Sequence, residues 1–350
     1  MIRIFSRVRD SRFALWLAAA FTAVTFFACF VPALSAQESG KPPHTGIQTT
    51  AEIVKIDCSV LDHTTNFVGG LTQDRFVVSD NGIAQPILFF APVEAPAQVL
   101  VMIETSPAVY LIRAEHLTAA HALLEGLAPD DELALVSYSQ APQAILPFTT
   151  DKVGLAAVLG EIQFTLGMGN LNLFDSVSMV LDWISPLQGK KAIVLLSTGL
   201  DSSPPERWDA LTQKLKRDDA VIFTVALGGS LRQTSSKKKK PAKAAPKTDD
   251  SAEPANPVSF AKADAALKTL AKITGGRAYF PESPGDFVPI YREIAAVLRH
   301  QYMLGIAPQH DGTFHSLTVH VDAGEKSKKP SAKSADYQIF AREGYLAPAR

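Results

Sequence analysis

The chain has 350 residues, of which 47% are hydrophobic and 20% charged, with a formal net charge of −1. This is the composition of a folded protein with a sizeable core, long enough for one large domain and one or two small ones. The near-neutral balance argues against nucleic acid as a partner.

Arg3, Arg7, Arg9 and Arg12 precede an apolar run from Phe13 to Leu34, and the small-residue stretch Ala33-Leu34-Ser35-Ala36 leads into polar Gln37. That order reads as a secretory signal peptide over residues 1–36, with cleavage after Ser35 or Ala36. The run is also long enough to stay as an uncleaved anchor, since about 20 apolar residues cross a bilayer. Membrane contact is expected only through this segment. The arginines are not paired as twin-arginine export requires, and Phe26 and Phe27 are bulky for a lipoprotein site at Cys29. An exported protein, periplasmic, envelope-bound or secreted, is the expectation. Removing residues 1–36 leaves 30 basic and 34 acidic residues, a net charge of −4. It also leaves Cys58 as the one cysteine, so no intramolecular disulfide is available and Cys58 reads as a small core residue.

Residues 37–50 are polar and hold Gly40, Pro42, Pro43 and Gly46, the pattern of a disordered leader. From 51 to 95 short β-prone runs alternate with turn signals, among which Asn81-Gly82 predicts a two-residue hairpin turn. The last of these runs is Ile87 to Phe90, and Pro92 to Pro96 read as a connector. Residues 96–300 change character. Val99 to Ile103 is an apolar run without alternation, as in a central strand covered on both faces. Leu117, Ala120, Leu124 and Leu127 then fall at helical spacing. Glu132 to Tyr138 reads as a strand, and Ala144 to Phe148 as an edge strand because of Pro142 and Pro147.

Helices are predicted over Lys152–Ile162, Asp175–Ile184 and Pro205–Lys216, and buried strands over Ala192–Leu196 and Ala220–Leu227. Residues 228–257 collapse into a Lys/Pro/Ala/Ser mixture, a low-complexity loop. Helical spacing returns at Phe260, Ala263, Leu267 and Leu270 and stops at Gly275-Gly276, before a short strand at Ala278 to Phe280 and a helix carrying Phe287, Ile290, Ile294 and Val297. Residues 301–350 are β-like, interrupted by a lysine-rich loop at Glu325 to Lys333. Strands alternating with helices predict an α/β fold: a doubly wound, mainly parallel, Rossmann-like sheet with small β-rich segments at both ends.

Several strings in one order resemble the von Willebrand factor type A family, in particular its acidobacterial exported group. They are Gly70-Leu71-Thr72 with Phe76 and Asn81-Gly82, Ile103-Glu104-Thr105-Ser106-Pro107, Gly169 to Asp175, Leu196-Ser197-Thr198-Gly199, Thr274 to Ala278, Gln301 to Gly305 and Arg342 to Pro348. The resemblance implies a metal-ion-dependent adhesion site at the carboxyl ends of the central strands. There the family's first loop is Asp-x-Ser-x-Ser, its second offers Thr and its third Asp, oxygen donors that suit a hard divalent cation.

At the matching positions this chain has Glu104, Ser106 and Ala108, then Leu171, then Thr198. Glu104 keeps a carboxylate, though a longer one, and Ser106 keeps a hydroxyl; the other three positions are changed, and Ala108 and Leu171 have no oxygen to offer. The resemblance therefore implies a degenerate site with no metal expected. Glu104 and Ser106 are the residual ligand candidates for weakly held Mg²⁺ or Ca²⁺, helped by Thr198, Asn172 or Asp201. Asp201 also reads as capping a turn with Ser202 and Ser203.

No nucleophile elbow, phosphate loop, His-Glu-x-x-His or Cys-x-x-Cys string occurs, so no catalytic residue is assigned. His310, His315 and His320 recur five apart, which puts neighbours on opposite strand faces, and all three read as surface or packing residues. The expected function is non-enzymatic: an adhesion or assembly module that binds a protein partner through a rim containing Glu104, Thr105, Ser106, Asn170, Asn172, Thr198 and Asp201. Pro107, Leu171 and Leu200 are expected to make that rim apolar. A cation-dependent adhesion module, a structural envelope scaffold and a hydrolase assembled from distant residues are the alternatives.

Overall fold

A computed structural model describes residues 52–164, 170–229, 232, 260–322 and 337–349. The predicted signal peptide and leader lie outside the described residues, as do most of the 228–257 loop and the lysine-rich loop at 325–333.

β1 (Val54–Leu61) is followed by the hairpin β2 (Phe76–Asp80) and β3 (Ile83–Gln85). Asn81 and Gly82 join the hairpin strands with φ of 48° and 82°, the left-handed pair that a two-residue turn demands. β4 (Phe89–Glu94) runs through Pro92, which the sequence placed in a connector. Proline is tolerated because β4 is an edge strand, paired on one side only, with Pro92 opposite Tyr302.

Next come β5 (Ala97–Glu104), α1 (Arg113–Gly126), β6 (Glu132–Tyr138), β7 (Pro142–Thr149), α2 (Lys152–Gly160), α3 (Leu173–Ile184), β8 (Lys190–Ser197), α4 (Pro205–Leu215) and β9 (Val221–Ala226). α5 (Phe260–Thr274), β10 (Ala278–Tyr279) and α6 (Phe287–Arg299) complete the layer.

The six strands lie in the order β10-β9-β8-β5-β6-β7, all parallel except β7, which pairs antiparallel with β6 at the edge. Residues of opposite parity feed two cores. Val99, Val101 and Ile103 pack with α1, α2 and α6, while Leu100 and Met102 pack with α3, α4 and α5. Helices on both faces make this a doubly wound sheet, and the apolar runs lack alternation because both faces are covered.

The chain ends with β11 (His300–Ile306), β12 (Phe314–Val321), β13 (Gln338–Ala341) and β14 (Gly344–Leu346). These do not stand apart from the N-terminal strands. β1 pairs with β11 and β13, and β12 pairs with β2, giving two four-stranded sheets of orders β13-β1-β11-β4 and β14-β12-β2-β3. The segments 51–95 and 301–350 thus interleave as one sandwich. Their inner faces share a core of Ile56, Cys58, Val60, Phe76, Tyr302 and Leu304, because neither segment alone has a second sheet to cover its apolar face. Burial pushes the Cys58 thiol up to about 12, so it packs as an apolar side chain. No described helix is long and apolar enough to cross a membrane.

Candidate functional site

Parallel strands deliver their carboxyl ends to one edge of the sheet, where ligands of doubly wound folds bind. In-register pairing sets Glu104, the last residue of β5, beside Tyr138, the last of β6, and brings the end of β8 alongside at Ser197. Gly199 then turns the third loop back with φ of 75°. A Cβ there would sit 2.8 Å from the Leu267 side chain, so the position requires glycine twice over.

Glu104 is fully buried, and its carboxylate is surrounded by donors. Ser106 Oγ donates to Oε1 at 2.6 Å, Ser197 Oγ donates to Oε2 at 2.9 Å, and Thr198 donates to Oε2 through both its N–H at 2.7 Å and its hydroxyl at 2.9 Å. Tyr138 Oη in turn donates to Ser197 Oγ at 2.6 Å. Burial, with the charge of Glu104 beside it, holds the Tyr138 phenol well above its ordinary range and keeps it a donor. Four donors fill a carboxylate's capacity, so these hydroxyls occupy the place that a cation's field would otherwise fill. Arg232 reinforces the third loop from behind: its guanidinium donates to the Thr198 and Leu227 carbonyls and pairs with Asp264 at 2.9 Å.

Of the residues singled out in the sequence, Glu104, Ser106 and Thr198 meet in this cluster. The others have different duties. Thr105 turns to β6, its N–H and hydroxyl both donating to the Tyr138 carbonyl at 2.8 and 3.2 Å. Asn172 ties the second loop to the turn after β6, through its N–H to the Ser139 carbonyl and its amide to the Gln140 carbonyl. Asp201 accepts from Phe174 N at 3.1 Å and Ser203 N at 2.7 Å, capping the first turn of α3 as well as its own turn.

Asn170 is exposed at the lip. Leu171 departs from the apolar-rim expectation: it is buried among the α3 and α4 contacts, because its N–H and carbonyl bond to Ser202 and hold it under the rim. Leu200 and Pro107 remain partly exposed. Among the described residues no group of three His, Cys, Asp or Glu side chains is placed to hold a metal ion.

Tyr138, Ser197 and Arg232 were not named as site residues from the sequence. Strand register carries the signal for the first two, since a residue closing each neighbouring parallel strand must face Glu104. His315, read as a surface or packing residue, is of the packing kind and is also ion-paired. It is buried between Asp80, at 2.6 Å from Nδ1, and Asp311, at 3.0 Å from Nε2. Burial alone would lower its pKa, but the hydrogen bonds to both carboxylates outweigh this and raise it.

No family model matches the chain, and no curated protein does. Solved structures similar to it include von Willebrand factor type A domains. One from Catenulispora acidiphila is 10% identical, with a TM-score of 0.42 over 85% of this chain and 75% of that one. The SpRpn10 VWA domain is 10% identical, with a TM-score of 0.40 over 55% of this chain and 94% of its own. An aerotolerance-related membrane protein from Bacteroides fragilis is 14% identical, with a TM-score of 0.41 over 57% of this chain and 98% of that one. The strand order and the helices on both faces define the fold.

Proposed function

We propose that this chain is an exported, non-enzymatic binding module of the von Willebrand factor type A kind, whose rim recognises a protein partner without a bridging cation. The observation that supports it is the saturation of Glu104 by the hydroxyls of Ser106, Ser197 and Thr198 and the N–H of Thr198. A cation bridging two proteins needs a carboxylate with free lone pairs and an open coordination position. Here the single carboxylate of the cluster is spent internally, and the hydroxyls around it are too buried to act as nucleophiles. Recognition then falls to the exposed lip, where Gln140, Asn170 and Ser202 offer hydrogen bonds around the partly exposed Leu200. The arginines and the apolar run before Gln37 support export.

The experiment is calorimetry of the full chain with Mg²⁺, Mn²⁺ and Ca²⁺, paired with capture from the native envelope with and without chelator. The reading expects no saturable cation heat and capture that the chelator leaves unchanged. Saturable binding abolished by Glu104→Ala would instead establish the cation-dependent adhesion module.

A further inference from the structure

β12 pairs with β2 through Leu317 opposite Asp80, and on its other side with β14, where His315 lies opposite Tyr345. Side chains alternate along the strand, so His315 shares the buried face of Leu317 and Val321. An imidazole enclosed in this way is costly unless both its nitrogens are satisfied.

Nδ1 lies 2.6 Å from Asp80 Oδ1 and Nε2 lies 3.0 Å from Asp311 Oδ2, so carboxylates meet the ring from opposite sides. Among the described residues the ionisable groups that face it are Asp80 from β2, Asp311 from the turn before β12, and Tyr345 from β14, whose ring centre is 5.4 Å away. Burial holds the Tyr345 phenol above its ordinary range, and it donates to Asp80 Oδ2 at 2.9 Å. Asn81 Nδ2 also lies 3.2 Å from Nδ1, but the closer carboxylate oxygen requires a proton between itself and that nitrogen. Acceptors on both sides call for a hydrogen on each nitrogen, which is the imidazolium.

The two carboxylates are held differently. The Asp80 side chain is 2% exposed and the Asp311 side chain 51%. Asp311 belongs to the turn 309–313, in which its Oδ1 accepts from the Thr313 N–H at 2.9 Å and Gly312 takes φ of 71°. Gln309 N–H donates to Tyr345 Oη at 3.0 Å, and Gly312 N–H reaches the Pro348 carbonyl at 3.3 Å. When the imidazolium gives up a proton, Nδ1 keeps its hydrogen, because buried Asp80 would otherwise lose a partner out of reach of solvent. Nε2 then becomes a bare acceptor facing a carboxylate. That contact is repulsive, and half-exposed Asp311 is the partner able to turn into water.

We propose that His315 is a pH-operated latch: as the imidazolium it clasps the Asp311 turn onto β12, and as the neutral Nδ1–H form it keeps Asp80 and releases Asp311, opening 309–313 while the sandwich stays closed. Burial disfavours the charged ring, but the bonds to Asp80 and Asp311 outweigh it and raise the pKa of His315 above 6.5. The latch is therefore closed in mildly acidic surroundings and opens as pH rises through the folded value.

Amide exchange and imidazole nitrogen shifts of the full chain, recorded by NMR at about pH 5.5 and about pH 9, test it. After correction for the intrinsic rate, the Gln309, Gly312 and Thr313 amides are expected to lose protection by about tenfold or more between the two, while the amides of β2 and β12 keep theirs. The neutral ring is expected to carry its hydrogen on Nδ1. In Asp311→Asn, a change at a half-exposed position, the Thr313 N–H holds the amide oxygen and Nδ2 faces His315, so the loss should vanish or reverse. The proposal fails if the parent's turn keeps its protection at the higher pH, if β2 and β12 loosen equally with it, if the neutral ring is protonated on Nε2, or if Asp311→Asn loosens as the parent does.

Discussion

Glu104→Ala is the most informative single change. In the parent the carboxylate receives four hydrogen bonds inside a closed cluster. Hydrogen bonds to a charged group contribute about 1.5–3 kcal/mol each, but the three hydroxyls can rotate and pair partly with one another once the acceptor is gone. The Thr198 N–H cannot, and the vacated volume is not refilled. Allowing for that relaxation, the loss should be about 3–5 kcal/mol, the range for breaking a buried charged network.

For a domain of this size that corresponds to a fall in Tm on the order of 10 °C. Thermal melts followed by far-UV circular dichroism, with and without chelator, measure it. A vacant cation site behaves in the opposite way, because its carboxylate lacks partners until metal arrives and its removal is neutral or stabilising. An unchanged or raised Tm for Glu104→Ala in chelator would therefore refute the hydroxyl-cage argument.

Thr198→Asp places a second carboxylate against buried Glu104, so it should lower Tm sharply in chelator and regain part of the loss with Mn²⁺ or Mg²⁺; melts under both conditions check it. His315 carries a raised folded pKa, so the stability it contributes is fully present below about 6.5 and lost as pH rises through the folded value. The stability difference between parent and His315→Gln in urea melts should accordingly shrink from mildly acidic to alkaline pH. Asp311 works in the opposite direction. The Thr313 N–H, and then His315, bring its carboxyl down to about 2, so its contribution stands above the ordinary 3.8 and fades as pH falls toward 2; acid titration of Asp311→Asn against the parent reads it. Arg277 bonds Glu293 at 2.7 Å and Gln338 at 2.6 Å, joining the α/β layer to β13. Arg277→Met leaves the buried Glu293 carboxylate with Tyr279 alone and should cost about 2 kcal/mol, read as a lower urea midpoint at unchanged slope.

Much of the α/β layer was legible in the residues because its signals are local. The unalternated run Val99 to Ile103, the helical spacing of Val177, Val180, Leu181 and Ile184, and the Asn81-Gly82 turn each report on the few residues around them. The limits of β4 are not legible for the same reason: proline forbids a central strand, and only pairing reveals that β4 lies at an edge. Within the site, the replacement of an oxygen donor by Leu171 is visible in the string itself. That Leu171 is buried beneath the rim is not, since Ser202 from a loop about 30 residues away in sequence holds it there.

By itself the sequence determined the alternation of strand and helix, the chemistry left at each loop, and the apolar segment ahead of Gln37. Register between distant segments was settled only by the tertiary structure. It joined β1 to β11 and β13, closed the Glu104 cage with Tyr138 and Ser197, and set His315 between Asp80 and Asp311. The physical reason is that side-chain direction along a strand has a period of two. Which partner each face meets depends on pairing across about 250 residues, and no local pattern encodes it.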